Sequence, residues 1–85
     1  MNLEKREQKI TESLNKQIDK LNSYSTDRLY SELTRLEREN KFGYGTYRSI
    51  LIDDFKVSEG FYKQTIRTLL KAVKTVLIAK LKEEN

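Results

Sequence analysis

Apolar positions recur at helical spacing along almost the whole chain. Over residues 3–22, Leu3, Ile10, Leu14, Ile18 and Leu21 follow one another at intervals of seven, four, four and three, with polar residues nearly everywhere between. This is one narrow stripe of an amphipathic helix, resembling a coiled-coil seam. The stretch "NSYSTD" then breaks the pattern, with Ser25 or Thr26 as a cap and Asp27 in the first turn of a second helix. Leu29, Tyr30, Leu33 and Leu36 are expected to point inward from that helix, which should end near Lys41, and Gly43 suits its left-handed stop. Residues 46–55 include the β-rich "TYRSILI", yet no second strand is at hand to pair with it. A short helix carrying Ile50, Leu51 and Phe55 is therefore expected. Ser58 fits as the N-cap of a last helix reaching about Lys82, roughly 36 Å long at 1.5 Å per residue.

The pattern predicts an all-α fold. It is a small bundle of three to four helices (about 3–22, 26–41, 46–55 and 58–82) in a single domain over 1–85, with a long C-terminal helix. The absence of proline and the presence of only three glycines agree with that. Two of the glycines flank Tyr44. No strand precedes this Gly-x-Gly and no Gly-Lys-Ser/Thr follows, so it is read as a joint rather than a phosphate loop.

The chain has no cysteine and no histidine, which removes disulfides, thiolate sites and the commonest general base. Its start is charged throughout, and no run approaches the roughly 18 apolar residues of a membrane span. A soluble, cytoplasmic protein without metal or cofactor is expected. Catalysis is not expected, because adjacent Asp53 and Asp54 point about 100° apart on a helix and cannot share one proton.

Charge changes the picture more. Residues 1–59 carry eleven basic and eleven acidic side chains, whereas residues 60–82 carry six basic side chains and no acid. The overall +4 therefore originates in the last helix. At about 100° per residue that helix divides into three faces. Tyr62, Ile66, Leu69, Leu70, Val73, Val76 and Leu77 form an apolar face; Lys63, Arg67, Lys71 and Lys74 form a basic stripe; Thr65, Thr68, Ala72, Thr75 and Ala79 form a strip of small residues. A basic stripe without interleaved acid gains nothing from i,i+4 pairing. It is either a solvated face neutralised by acids of the first two helices, or a docking face for a large anion such as DNA or RNA.

The stretch "LIDDFKVSEGFYKQTIRTLL" resembles the helix-turn-helix of bacterial and phage regulators over about twenty residues. In that motif apolar side chains lock two helices together, and Leu51, Phe55, Val57 and Tyr62 fall at the matching places. Val57-Ser58 matches the frequent opening of a recognition helix. The resemblance implies a helix-turn-helix-like corner at residues 50–68 that exposes Glu59, Gly60, Lys63, Gln64 and Arg67. Of these, Gln suits adenine, Arg suits guanine, and Lys suits guanine or phosphate. The sequence departs from the motif at three places: Lys56 replaces the turn glycine, Ile52 a small residue, and Thr65 an Ile or Val.

Together these readings point to a small DNA-binding regulator, with DNA favoured over RNA, using Lys63, Gln64, Arg67, Lys71 and Lys74. Tyr44 and Tyr47 are candidates for stacking on bases, though nothing in the sequence selects them. A rival is a helical inhibitor, antitoxin or immunity-type protein whose basic helix docks on an acidic protein surface. An anionic membrane surface is a third and weaker fit, because the same apolar face must cover the first helix. A homodimer is also expected. Val73, Val76, Leu77, Ile78 and Leu81 occupy more than one side of the helix, and Thr68, Ala72, Thr75 and Ala79 permit close approach.

Overall fold

The computed structural model describes residues 3–84, and of Leu3 the backbone alone, so the expected inward side chain of Leu3 lies outside the described residues. Helix α1 (Leu3–Lys20) ends in a 3-10 turn, Leu21–Ser23, and is followed by α2 (Thr26–Phe42). Helix α3 (Thr46–Arg48) passes directly into a π-helical stretch, Ser49–Asp54, and α4 (Glu59–Glu84) completes the chain. No described residue lies in a strand, so "TYRSILI" is helical and the fold is all-α.

The helix ends obey local chemistry. Ser25 Oγ accepts from the Arg28 N–H at 3.2 Å, and Ser58 Oγ accepts from the Phe61 N–H at 3.1 Å. Each satisfies one donor that the first helical turn leaves without a partner. Gly43, at φ 77°, closes α2 in the left-handed conformation by donating its N–H to Glu39 O.

Helix α4 is the spine. Its Tyr62, Ile66, Leu69, Leu70, Val73 and Leu77 are buried against Leu29 and Leu36 of α2, Leu21 after α1, and Leu51 and Val57 of the corner. Each such side chain contributes about 1.5–3 kcal/mol on burial. Ile10, Leu14 and Ile18 pack on this core from α1 while staying partly exposed, as a single stripe on a peripheral helix should. Thr26 Oγ1 bonds Glu84 near one end of the α2–α4 pair, and Tyr62 Oη bonds Glu39 near the other. The two helices are thus antiparallel. Arg6 reaches Phe55 O at 3.0 Å, while Lys80 Nζ reaches Tyr24 O at 2.6 Å, so α1 runs in the same direction as α4. The result is elongated, 47 × 25 × 15 Å.

Two inward expectations are corrected. Tyr30 is exposed, because the inward stripe of α2 runs through Leu29, Leu36 and Glu39. Phe55 is 46 % exposed rather than locked between helices. After Leu51 the chain closes with wide turns: the Phe55 N–H bonds Ile50 O, and the Val57 N–H bonds Leu51 O, both at 3.0 Å. Lys56 between them turns left-handed at φ 59°. The next core position after Leu51 therefore falls at Val57. One of the four apolar locks implied by the helix-turn-helix resemblance is lost.

Candidate nucleic-acid interface

With its apolar face and Thr65 committed to the core, α4 presents its basic side to solvent. Lys63, Gln64, Arg67, Lys71 and Lys74 are all exposed. None of the four basic side chains forms an ion pair with another described residue. Lys63 does feel Glu59 one turn back, but that carboxylate is already gripped by both terminal nitrogens of Arg48. The Arg48 hydrogen bonds hold the Glu59 carboxyl below its ordinary pKa and raise that of the guanidinium. The pair also ties α3 to the first turn of α4, where an acid is favoured by the helix dipole.

The basic surface extends beyond α4. A shallow groove of about 460 Å³ between α2 and α4 is lined by Arg38, Lys41 and Phe42 on one side and Leu70 and Lys74 on the other. Glu37 shares this groove without forming an ion pair to any of these cations. Sequence reasoning missed Arg38 and Lys41, because summed charge over residues 1–59 is zero and hides where each sign points. The usable signal was the three-residue spacing from Arg38 to Lys41, which keeps both on one side of α2.

Glu39 was missed too, and it organises the corner. Its carboxylate is buried and accepts from the Tyr47 N–H at 3.2 Å, the Arg48 N–H at 2.7 Å and Tyr62 Oη at 2.7 Å. It thereby caps α3 from another helix. Gly45 lies so close to it that a Cβ there would overlap the carboxylate. Burial, reinforced by the bond to Glu39, pushes the Tyr62 phenol well above its ordinary pKa and keeps it a donor. The signal was present in the sequence: position 39 continues the inward stripe three residues after Leu36.

The three departures from the helix-turn-helix pattern have distinct outcomes. Lys56 adopts the left-handed conformation that a turn glycine would take. Thr65 is buried, with its hydroxyl donating to Phe61 O at 2.8 Å. Ile52 remains partly exposed at the edge of the core. Of the residues expected at a dimer contact, Val73 and Leu77 are buried within the chain, and Val76 and Leu81 pack partly against the core. Ile78 is 53 % exposed.

On the opposite side, α1 and the α3 corner enclose an open groove of about 790 Å³, with Ile10, Leu14, Ile50 and Phe55 among its lining residues together with Arg6, Lys9, Lys56 and Asp54. No described helix is long and apolar enough to cross a membrane. No protein-family model, curated protein or solved structure matches this chain. What the protein does must be read from its own surfaces.

Proposed function

We propose that this protein is a small DNA-binding regulator whose α4 lies against the duplex through its exposed basic face. The observation that carries the reading is the set Lys63, Arg67, Lys71 and Lys74, exposed on one face of one helix with no acid among the described residues in ion-pair contact. The like charges repel one another at helical spacing; the phosphates of a polyanion offset that repulsion, and the release of its condensed counterions favours binding further. Lys71, Lys74, Arg38 and Lys41 are the phosphate contacts. Lys63, Gln64 and Arg67, near the corner at residues 50–68, reach base edges in the major groove in the manner of a recognition helix. The left-handed Lys56 supports that corner, whereas the exposed Phe55 weakens it. The reading therefore leans on the charged face more than on the motif.

Gel-shift titration of a mixed-sequence duplex tests it. Lys71→Ala is expected to weaken binding to all sequences about equally, whereas Gln64→Ala should alter preference between sequences. Absence of any shift in low salt would overturn the proposal.

One observation favours the second reading, a protein-binding inhibitor, antitoxin or immunity-type protein. The groove beside Ile50 and Phe55 is mostly apolar and is lined by three basic side chains, Arg6, Lys9 and Lys56, against one acid, Asp54, which suits an acidic amphipathic segment of a partner. Nonspecific competitor DNA separates the two readings, because only the first is abolished by it.

A further inference from the structure

Between α2 and α3 the chain displays two aromatic rings where burial would be the default. Phe42 is 58 % exposed and Tyr44 70 %, with ring centroids 6.2 Å apart and planes inclined at 36°. The segment holding them is fixed on both sides. The Gly43 N–H bonds Glu39 O at 2.8 Å, Gly45 O accepts from the Ser49 N–H at 3.1 Å, and the Glu39 carboxylate accepts from the Tyr47 and Arg48 N–H groups of α3. Tyr44 is thus held out on an anchored three-residue joint. Its neighbours are cationic: Lys41 Nζ lies 5.5 Å from the Phe42 ring centre. Arg35 and Arg38 line a shallow depression with Phe42 and Tyr44, and Arg38, Lys41 and Phe42 also line the groove that leads to Lys74.

Exposed rings among guanidinium and ammonium groups, continuous with a basic groove, have the chemistry of a platform for unpaired nucleobases. The cations hold the phosphodiester chain, and the rings offer π-faces to bases that are not paired. A paired base keeps its faces inside the duplex stack and cannot use them. We infer that the Phe42–Tyr44 tip stacks on an unpaired base of the nucleic acid held by the adjacent basic face. This rests on the nucleic-acid reading above and deepens it, because it assigns the protein a preference for strands with unpaired positions next to duplex.

Fluorescence anisotropy on the full chain tests it with a labelled 20-nucleotide oligothymidine and a labelled 20-base-pair duplex, both in low salt. Tyr44→Ala is expected to weaken single-strand binding about 5- to 150-fold per stacked base, to leave duplex binding within about twofold, and to be rescued by Tyr44→Phe. Lys71→Ala should weaken both. Because Tyr44 is in solvent, an unchanged circular dichroism spectrum is expected. Duplex binding with no single-strand binding overturns the inference while leaving the wider reading intact. So does a Tyr44→Ala variant that binds single strands like wild type or loses both ligands equally. Failure of the wild-type protein to bind either probe overturns both.

Discussion

Gly43 and Gly45 stand two residues apart and are needed for different reasons. Gly43 has open space around it but a φ of 77°, so Gly43→Ala meets backbone strain alone and should cost about 1 kcal/mol. At Gly45 the added methyl would overlap the Glu39 carboxylate, whose three hydrogen bonds fix the corner. Gly45→Ala is expected to cost about 1–3 kcal/mol of overpacking in addition to any strain, measured by urea unfolding. Equal losses at the two positions would contradict the role given to Glu39. The same latch makes stability sensitive to alkali. The Tyr62 phenol has a folded pKa above its unfolded value of about 10, so the neutral form is favoured by folding. That contribution is complete below about pH 10 and is lost as pH rises towards the folded pKa. The melting temperature should fall above about pH 10, and less steeply in Tyr62→Phe, which has no proton to lose. Tyr47, also raised by burial, leaves a residual slope.

At the scale of elements, the corner between α3 and α4 is where the sequence was least legible. Helical spacing of three to four located α1, α2 and α4, and Ser25, Gly43 and Ser58 marked both ends of α2 and the start of α4. Residues 49–54 depart from that spacing because they wind as a π-helix, and no residue there announces it. The inward position consequently moved from Phe55 to Val57. Phe55→Ala should cost well under the roughly 3–5 kcal/mol of a buried phenylalanine. A loss in that range would show Phe55 to be core after all. Lys56→Gly should stabilise by about 0.5–1 kcal/mol, since glycine relieves the left-handed strain but loses more entropy on folding. The candidate site was legible where it sat on one uninterrupted helix, as Lys63, Gln64, Arg67, Lys71 and Lys74 did. Arg38, Lys41 and Phe42 were not, and nothing in the sequence selected Tyr44 from the other tyrosines, because these residues join the site only when α2 docks against α4.

For the whole molecule, the same docking bears on oligomeric state and on function. Val73 and Leu77 serve the intrachain core, which leaves Ile78 as the exposed apolar residue among those expected to join two chains. Burying the half of its surface that is still exposed contributes about 1.5–3 kcal/mol for the two chains together, less than the roughly 4–15 kcal/mol lost on association. Light scattering at tens of micromolar should therefore give a mass near 10.1 kDa. Twice that mass, halved by Ile78→Glu, would restore the expected homodimer. Docking also leaves the positive face of α4 free, and that face is the central claim. Its most direct measurement is the affinity for a mixed-sequence duplex across a series of salt concentrations. Four phosphate contacts from Lys71, Lys74, Arg38 and Lys41 give an expected slope of log K against log salt near −3.6, reduced in magnitude by about 0.9 in Lys71→Ala. A slope near zero, or no binding at the lowest salt, would contradict the account.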